Sequence, residues 1–589
     1  MAERTDVLIC GGGPTGLITA LSLAKMGIAT MVIEKSHKSQ QARYGRASTL
    51  YPRTLELLDQ LDVLDPMAEI GFIARNYVNY RAGKREISGG YQMLFTQMHN
   101  TYLDYVLNIR QKYSEEIFKA SYEEKGGVML EGTELLDLVH DSAASDGYVL
   151  TAVIKDVASG DIQRVQCKYL VGADGTRSTV RELANIPFAG DDSALKWFRI
   201  DAVVKTNMPD SRVGLASIES PTHGNVLWMA LDHGRTRIGF ALPAATFEKF
   251  GVDITEAQAI EEAQKAVAPF SLEFEKVDWW TLYSIRHGVA DSFRAQKNTF
   301  LVGDACHCHS SGTAQGMNTG VHDAVNLAWK LGGVLRGYYD ESILDTYELE
   351  RRPEAQRVID QDKTISSLIT GRIPEKLAKP GANPFEVLYQ FTASTMQFTL
   401  GLGINYKASM LNRPAKVGLV ASGWRGPDVP LQRPGSRCSV RLFQVTKNVG
   451  KFQILVFTGN PASTKDKLLK LRSYLDSKDS FTTRFPDIAK FLTIIPGNAS
   501  QADEYLGVDK FGQAFYDVDG GAATKYGFHM GEGGIAVLRP DGVLSFAAQL
   551  DQGEEVGNYF EQFAKPVESD VRNGVEVVVG EAKEVDLDM

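Results

Sequence analysis

The sequence contains no apolar run that approaches the roughly 18 residues needed to cross a bilayer, so we expect no membrane span. A strand pattern, TDVLICGGG, begins almost at the N-terminus, and we expect no signal peptide. An excess of positive charge is also absent, because 63 lysines and arginines stand against 73 aspartates and glutamates, a net charge of −10. This balance argues against nucleic acid or an anionic membrane as a partner.

Cysteine is scarce, with five residues in a chain of 589 and no CxxC pair. An odd, scattered set of this kind excludes a disulfide framework, argues against thiol redox chemistry, and is typical of free thiols in a reducing compartment. We therefore expect a cytoplasmic protein. The length exceeds what one hydrophobic core supports, so several domains are expected.

The N-terminal stretch has the pattern of a dinucleotide-binding unit. The strand pattern VLIC (7–10) is followed by GxGxxG at residues 11–16, then by a helix pattern and a second strand pattern that ends in Glu34. Such glycines permit a tight turn and close approach of a pyrophosphate to the helix N-terminus, and an acid about 20 residues later accepts hydrogen bonds from a ribose. This unit alone leaves NAD and FAD both open. The predicted site comprises Gly11, Gly13, Pro14, Thr15, Gly16, Glu34 and Lys35.

A second pattern of this type surrounds GDACHCHSSGTAQG at residues 303–316. The strand pattern TFLVGD ends at Asp304, and a helix pattern begins near Gly316, which places free backbone N–H groups beside the loop. The cysteines and histidines at 306–309 raise the possibility of a metal site. However, neighbouring side chains of an extended segment point in opposite directions, and zinc ligands are usually spaced further apart. We expect no metal and interpret these residues as packing the loop against a cofactor; a metal site and CxC redox chemistry remain as minor alternatives.

Three ordered motifs resemble those of class A flavoprotein monooxygenases, the aromatic hydroxylases of para-hydroxybenzoate hydroxylase fold, and most closely the phenol 2-monooxygenase branch. GDACH…QGMNTG (303–320) is similar to the family's GD motif, and YLVGADGTRSTVR (169–181) to its DG motif, whose Arg177 would lie between FAD and the nicotinamide. RYGRASTLYPRTLELL (43–58) and the segment around 110–111 match further FAD contacts. The resemblance implies FAD binding by Arg46, Gln111, Asp174, Asp304, Gln315, Gly316, Met317 and Asn318.

The activity implied by the resemblance is hydroxylation of a phenolic or related aromatic substrate. Non-covalent FAD would be reduced by transiently bound NAD(P)H and react with O2 to a C4a-hydroperoxide, which transfers oxygen to the ring. The sequence lacks a second GxGxxG after a strand pattern. This agrees with transient binding of NAD(P)H, because a permanently bound nicotinamide cofactor would need such a motif. Two alternatives stay open: an FAD oxidoreductase of the same fold that dehydrogenates or oxidatively decarboxylates, and a non-catalytic flavin scaffold. The choice between NADH and NADPH is also open.

Two residues of the segment WWTLYSIRHG are candidates for catalysis. Tyr283 matches an active-site tyrosine of phenol hydroxylases and would hydrogen-bond the substrate oxygen; packing in the core is its alternative role. His287 is the second candidate, because imidazole titrates near neutral pH. The chain departs from the family at Ser311-Gly312, where proline is usual, and at Ser48, where aspartate is frequent. The second departure predicts a substrate other than simple phenol.

The expected fold class is α/β (α+β overall), with a discontinuous, Rossmann-like FAD-binding domain. Short strand patterns between its two parts predict an inserted antiparallel sheet for the substrate. The C-terminal part resembles the thioredoxin-like domain of phenol hydroxylases, here without CxxC, and we expect it to support a homodimer. The expected divisions are 1–190 (FAD-binding, with 76–98 joining the substrate sheet), 191–284 (substrate sheet), 285–370 (FAD-binding), 371–430 (helical connection) and 431–589 (thioredoxin-like).

Overall fold

The computed structural model describes residues 3–40, 47–87, 89–243, 246–248, 251, 254–310, 312–369, 371–415, 417–497, 506 and 510–567. The expected FAD contact Arg46 and the loop residue Ser311 lie outside the described residues. In the described part, no helix combines the length and apolarity needed to cross a membrane. Strands and helices are numbered along the chain.

A mostly parallel sheet carries the glycine-rich motif. Its strands are β1 (Glu3–Cys10), β2 (Thr30–Glu34), β8 (Val128–Glu131), β9 (Thr133–His140), β10 (Leu150–Asp156), β11 (Ile162–Gly172), β17 (Arg294–Ala295) and β18 (Thr299–Leu301). The order β18-β11-β1-β2-β8 is parallel throughout, and β10 and β9 extend it from β11 as an antiparallel pair. Because β18 lies beside β11, strands far apart in sequence end at the same edge of the sheet.

Helices cover this sheet and connect it to the rest of the molecule. They are α1 (Pro14–Lys25), α2 (Pro52–Gln60), α3 (Leu64–Ile70), α4 (Gln92–Thr96), α5 (Gln111–Glu124), α6 (Thr179–Leu183), α7 (Glu256–Ala266), α8 (Gln315–Leu335), α9 (Asp345–Ile369) and α10 (Pro384–Thr399). A small sheet of β3 (Thr49–Leu50), β4 (Phe72–Ala74) and β7 (Val106–Asn108) lies among them. Helix α1 packs against α5 and α8, so the two glycine-containing helix starts are neighbours.

The inserted sheet has eight strands. They are β5 (Asn76–Arg81), β6 (Lys84–Glu86), β12 (Phe188–Thr206), β13 (Gly214–Ser220), β14 (Gly224–Ala230), β15 (Thr236–Ala241), β16 (Leu272–Ala290) and β19 (His307–Cys308). As expected, the segment from residue 76 joins it, because β5 pairs with β13. Strands β12 and β16, 19 residues each, run without interruption across the expected divisions at 190 and 284. Those divisions therefore remain predictions.

The two faces of the inserted sheet differ in character. Alternate residues such as Phe198, Ile200 and Phe240 pack with α7 in an apolar core on the outer face. The inner face, turned toward the FAD-binding part, instead carries Arg199 and Arg237 in the middle of their strands. This face is the side on which a ligand would meet the cofactor.

The C-terminal part is built on a mixed sheet. Its strands are β20 (Pro430–Gln432), β21 (Ser439–Arg441), β22 (Phe452–Phe457), β23 (Ala489–Pro496), β24 (Gln513–Asp517), β25 (Gly534–Leu538) and β26 (Leu544–Ala548). Its helices are α11 (Leu442–Val445), α12 (Pro461–Leu475), α13 (Phe481–Arg484), α14 (Gly521–Tyr526) and α15 (Gly553–Phe560). Parallel β24-β23-β22 continue into antiparallel β25 and β26. The α/β class is confirmed, and the thioredoxin-like description remains a prediction.

The helical connection is shorter than its sequence pattern predicts. Helix α10 ends at Thr399, and the described residues from 400 to 429 contain no helix. Gly401, with φ 74°, lies directly after the last turn of α10, and this left-handed backbone conformation ends helices.

A buried ionic cluster joins the C-terminal part to the FAD-binding part. Both Nη atoms of Arg539 donate to the Glu350 carboxylate, at 2.6 and 3.0 Å, and Nη2 also donates to Asp541 at 2.6 Å. Lys330 of α8 donates to the same glutamate at 2.8 Å. All four side chains are buried, so the two parts share one network of desolvated charges, in which Arg539 with Glu350 is the contact that joins them.

Candidate active site

The glycines of the first motif are needed for different reasons. Gly11 has φ +107°, and a Cβ there would lie 2.3 Å from the carbonyl oxygen of Ala173. A Cβ on Gly16 would lie 2.0 Å from the carbonyl oxygen of Gly11. By contrast, a Cβ on Gly13, the residue that caps α1, meets no other described atom within 4 Å. Gly11 and Gly16 thus close the turn, while Gly13 turns its bare Cα toward the space where a pyrophosphate can approach the helix.

Glu34 is held at the end of β2 by backbone donors. Its Oε2 accepts from Gly12 N at 2.8 Å and its Oε1 from Ser36 N at 3.0 Å. This orientation leaves lone pairs for a further donor, and ribose binding by Glu34 stays a prediction. Lys35 is 70% exposed and pairs with Glu134 at 2.6 Å, so its side chain is turned away from the glycine turn.

Gln111 lies at the start of α5 on the same side of the sheet. Its Oε1 accepts from Ala47 N at 3.2 Å, and its Nε2 donates to Glu115 at 2.7 Å. Glu115 also pairs with Lys38 at 3.1 Å. Burial raises the pKa of the Glu115 carboxyl, and Lys38 opposes that rise. The sequence reasoning missed Glu115, although its position four residues after Gln111 puts both on one helix face.

Asp174 follows β11 and organises the DG segment. It accepts hydrogen bonds from Ser178 Oγ at 2.5 Å and Val180 N at 3.0 Å. Burial raises the pKa of Asp174, against the effect of these hydrogen bonds. Arg177 is exposed, as a residue at the mouth of a site would be. Arg181, which the sequence reasoning missed, donates to the carbonyl oxygen of Ala305 at 2.8 Å and so ties the DG segment to the GD turn.

The GD turn, Gly303–Ala305, comes directly after β18 and meets both glycine-containing helices. A Cβ on Gly303 would lie 2.7 Å from Thr15 Oγ1 of α1, and one on Gly320 of α8 would lie 2.4 Å from the same oxygen. Thr15 is therefore the point at which the three segments touch. Asp304 is exposed beside this junction. Motifs separated by most of the FAD-binding part are thus brought together around one groove.

The first turn of α8 presents backbone rather than side chains to this groove. Its N-cap, Ala314, has a left-handed backbone (φ 53°) and forms no side-chain cap. Gln315 donates to Thr399 O at 2.7 Å, and Asn318 accepts from Tyr51 N at 2.9 Å. The side chains of Gln315 and Asn318 therefore fix neighbouring segments and leave the helix N–H groups for a ligand. Met317 is buried, and a Cβ on Gly316 would meet no described atom within 4 Å.

The cysteine–histidine run is tied to a carboxylate. His307 Nε2 lies 2.6 Å from Asp323 Oδ2, and ligand atoms of Cys306, His307 and Asp323 lie within 4.8 Å of one another. However, Arg351 donates to Asp323 at 2.7 Å and already neutralises it. Burial raises the pKa of the Cys306 thiol well above its ordinary value. These contacts favour the interpretation that residues 306–309 pack against the GD turn and hold it in place.

Of the two candidates for catalysis, His287 is buried and bonded to a carboxylate. Its Nε2 lies 2.7 Å from Asp362 Oδ2, and that carboxylate also accepts from Ser310 N at 2.8 Å and Ser310 Oγ at 2.5 Å. Tyr283 is half-buried on β16, directly opposite Trp197 of β12. The contacts of His287 thus lead to the loop before α8, whereas Tyr283 lies on the inner face of the sheet, and a catalytic role of either residue stays a prediction.

A buried arginine links the inner face to the segment that follows residue 46. Arg237 donates to both carboxylate oxygens of Asp201, at 2.6 and 2.8 Å, and to Ser48 Oγ at 2.7 Å. Ser48, the residue that replaces a frequent aspartate, is thus in contact with a cation that already has its own carboxylate. The sequence reasoning missed Arg237 and Asp201. The available signal was that each is a charged residue inside an otherwise apolar strand pattern.

Apolar side chains complete the surroundings of the inner face. Helices α4 and α10 pack over the β13–β14 side of the sheet, next to Tyr51 and the Ala314 end of α8. Methionines are prominent in this cluster, and their flexible side chains suit the binding of a bulky apolar ligand. The members at this position are Met93, Leu94, Met98, Leu215, Met229, Leu231, Met396 and Leu400.

Comparison with known proteins agrees with this geometry. Residues 4–362 match the model of the FAD binding domain family, and residues 404–568 match the phenol hydroxylase C-terminal dimerisation domain. An FAD-dependent monooxygenase, hkm7 of Aspergillus hancockii, is 30% identical over 497 residues, covering 78% of this chain and 89% of the relative. The chain belongs to the FAD-dependent monooxygenases. The groove around Thr15, with its two uncapped helix starts and the bare Gly13, fits this cofactor.

Other relatives of this FAD-dependent monooxygenase cover more of its length. The 3-hydroxybenzoate 4-monooxygenase of Comamonas testosteroni is 28% identical over 630 residues, covering 96% of this chain and 95% of the relative. The crystal structure of the flavin-dependent monooxygenase PieE in complex with FAD and substrate shares the fold, with a TM-score of 0.71 at 22% identity, and the match covers 95% of this chain and 99% of that one. The expected family, fold class, enzymatic nature and FAD cofactor are therefore confirmed.

Proposed function

We propose that this FAD-dependent monooxygenase hydroxylates a phenolic or related aromatic substrate, consumes O2 and NAD(P)H, and works as a cytoplasmic homodimer. The observation that carries the proposal is the contact between Arg237 and Ser48 at 2.7 Å. It puts the polar inner face of the inserted sheet directly against a segment of the FAD-binding part. A ligand held on that face would lie at the boundary with the cofactor, where substrate pockets usually form.

The chain's own residues bind and orient FAD. The N-termini of α1 and α8 offer backbone N–H groups and the positive ends of two helix dipoles to phosphate and ring oxygens. Glu34 would accept from the ribose and Asp304 from the ribitol. FAD, when bound and reduced by NAD(P)H, supplies the activated oxygen that the ring accepts.

Tyr283 is proposed to hydrogen-bond the substrate oxygen and favour its ionised form, which makes the ring a better nucleophile. Its place on β16, opposite Trp197, puts it on the same face as Arg237. His287 is proposed as a positioning residue that acts through Asp362 on the loop before α8.

The dimer is proposed from the match of residues 404–568 to a dimerisation domain. Sedimentation of the purified protein tests it, with twice the chain mass expected. The activity is tested by adding a panel of phenols to the FAD-loaded enzyme and following NADH and NADPH consumption together with product mass. Stimulated consumption and a product heavier by one oxygen atom are expected. A product that has lost hydrogen or carbon dioxide without gaining oxygen would contradict the proposal.

A further inference from the structure

Two tryptophans on the inner face have buried indole nitrogens without an acceptor. Neither Trp197 Nε1 nor Trp279 Nε1 finds a hydrogen-bond partner among the described residues. Elsewhere in the protein, Trp228 Nε1 donates to Ser211 O at 2.8 Å. A buried N–H without an acceptor is unfavourable, and in a native protein it calls for an explanation such as a bound ligand.

The strand register places both indoles on the face that meets the FAD-binding part. Trp279 lies opposite Asp201, and Trp197 lies opposite Tyr283. Residues 197 and 201 are four apart on β12, so the backbone positions behind the two indoles lie about 13 Å apart along the strand. A ligand that extends along the face from one indole to the other is longer than a single benzene ring.

Each indole is paired with a guanidinium group. The Arg199 Cζ atom lies 5.0 Å from the centre of the Trp197 ring, and the Arg237 Cζ atom lies 5.4 Å from that of Trp279. Gly239 makes room for this arrangement, because a Cβ there would lie 2.4 Å from Arg199 Nη1. The inner face thus combines two indole donors with two stacked guanidinium groups that already have partners, and the indole N–H groups are the donors that match a hydrogen-bond acceptor.

We propose that Trp197 and Trp279 donate their indole N–H groups to the substrate, which therefore carries carbonyl or carboxylate oxygens in addition to its reactive hydroxyl and spans more than one ring. This inference rests on the proposed hydroxylation and narrows its substrate class. The apolar body of such a compound would pack against the methionine-rich cluster of α4 and α10, while its oxygens satisfy the donors of the sheet.

The inference is tested by binding three matched probes to the oxidised FAD enzyme. 2-Naphthol, 6-hydroxy-2-naphthoate and 6-acetyl-2-naphthol share the hydroxyl and the ring system, and only the last two carry a second oxygen group. Dissociation constants are read from the change in flavin absorbance. We expect the two acceptor-bearing probes to bind about tenfold more tightly than 2-naphthol, since one or two additional hydrogen bonds are formed.

The variants Trp279→Phe and Trp197→Phe keep an aromatic ring and remove the donor. Because the second oxygen group of a probe reaches one indole at a time, the variant that removes this donor is expected to weaken binding of the two acceptor-bearing probes about two- to tenfold, and neither variant should change the binding of 2-naphthol. Trp280→Phe is the matched control, because Trp280 lies on the outer face beside Phe198, and no change in selectivity is expected. FAD content, measured after denaturation, should be the same in all variants.

Two results would overturn the inference: a wild-type enzyme that does not prefer the acceptor-bearing probes, or variants that lose affinity for all three equally. Failure of the proposed function looks different. In that case the preference among probes is present, but no phenol stimulates NAD(P)H consumption and no product gains oxygen. A loss of affinity for the carboxylate alone would restrict the substrate class to phenolic acids.

Discussion

His287 Nε2 lies 2.7 Å from Asp362 Oδ2, and the same oxygen accepts from the backbone N–H of Ser310. The imidazole of β16 thereby fixes, through one buried carboxylate of α9, the loop that leads to α8. This relationship connects the inserted sheet to the loop before α8 and is the basis of the positioning role proposed for His287.

The substitution Asp362→Asn should weaken this coupling. The loop would lose a charged acceptor, which corresponds to about 1–3 kcal/mol of unfolding free energy, and FAD affinity should fall with it. Urea unfolding and FAD titration measure the two effects. Asp360→Asn is the matched control, because Asp360 is exposed two residues earlier on α9 and should change neither. Unaltered FAD affinity in Asp362→Asn would contradict the positioning role.

The effect of Asp362→Asn on stability should depend on pH. Although burial alone would raise the pKa of Asp362, hydrogen bonds from His287 and Ser310 and the charge of His309 lower it. A carboxyl whose folded pKa is depressed stabilises the protein fully above its unfolded pKa, near 4, and this contribution is lost as the pH falls toward the folded pKa. The stability difference between wild type and Asp362→Asn should therefore shrink as the pH falls below about 4. A difference that grows as the pH falls below about 4 would be inconsistent with this sign.

The substitution Gly13→Val should give a folded protein that is poor in FAD. A side chain at this position meets no described neighbour within 4 Å, so the loss comes from blocking the pyrophosphate and not from strain. Gly16→Val provides the contrast, because its Cβ would collide with Gly11 O and folding itself should suffer. The flavin absorbance per chain and the circular dichroism spectrum separate these outcomes. Stoichiometric FAD in Gly13→Val would refute the assignment of the groove.

The substitution Arg539→Met should destabilise the whole chain. It removes the partner of the buried Glu350 and Asp541 carboxylates, and loss of one member of a buried pair costs about 3–5 kcal/mol. Arg433→Met removes an exposed arginine of the same C-terminal part and should be close to neutral. Urea unfolding followed by flavin release checks both. If Arg539→Met unfolded only the C-terminal part and left bound FAD undisturbed, the two parts would be independent.

The substitution Tyr283→Phe should reduce hydroxylation more than NAD(P)H consumption. A hydrogen bond to a charged oxygen is worth about 1.5–3 kcal/mol, which corresponds to about tenfold to a few hundredfold in rate. FAD content should be unchanged, because Tyr283 lies on the inserted sheet. Rapid-mixing spectra and the yield of product per NAD(P)H measure the effect. An unchanged yield and rate would assign Tyr283 to packing in the core.

The sequence predicted what depends on backbone chemistry. The glycine spacing, Glu34 at a strand end and Asp304 after a buried strand all follow from local rules, and the structure brings their segments together around Thr15. The sequence did not predict contacts between side chains that are distant along the chain, such as Arg237 with Ser48 or His287 with Asp362. Those pairings depend on strand register and helix packing, which no local pattern specifies.

The end of α10 shows a different limit. The sequence analysis expected a helical connection as far as residue 430, but α10 ends at Thr399, just before the left-handed Gly401. A glycine inside a helical pattern makes a helix less favourable without excluding it. The sequence alone therefore did not specify where α10 ends.

The central claim is that oxygen from O2 is transferred to an aromatic ring by this chain. The most direct measurement is the turnover of the phenol that best stimulates NAD(P)H consumption under isotopically labelled dioxygen, with the label located in the product by mass spectrometry. We predict that each hydroxylated product molecule carries one labelled oxygen atom. Product that is unlabelled under labelled dioxygen, or that takes its oxygen from labelled water, would contradict the account.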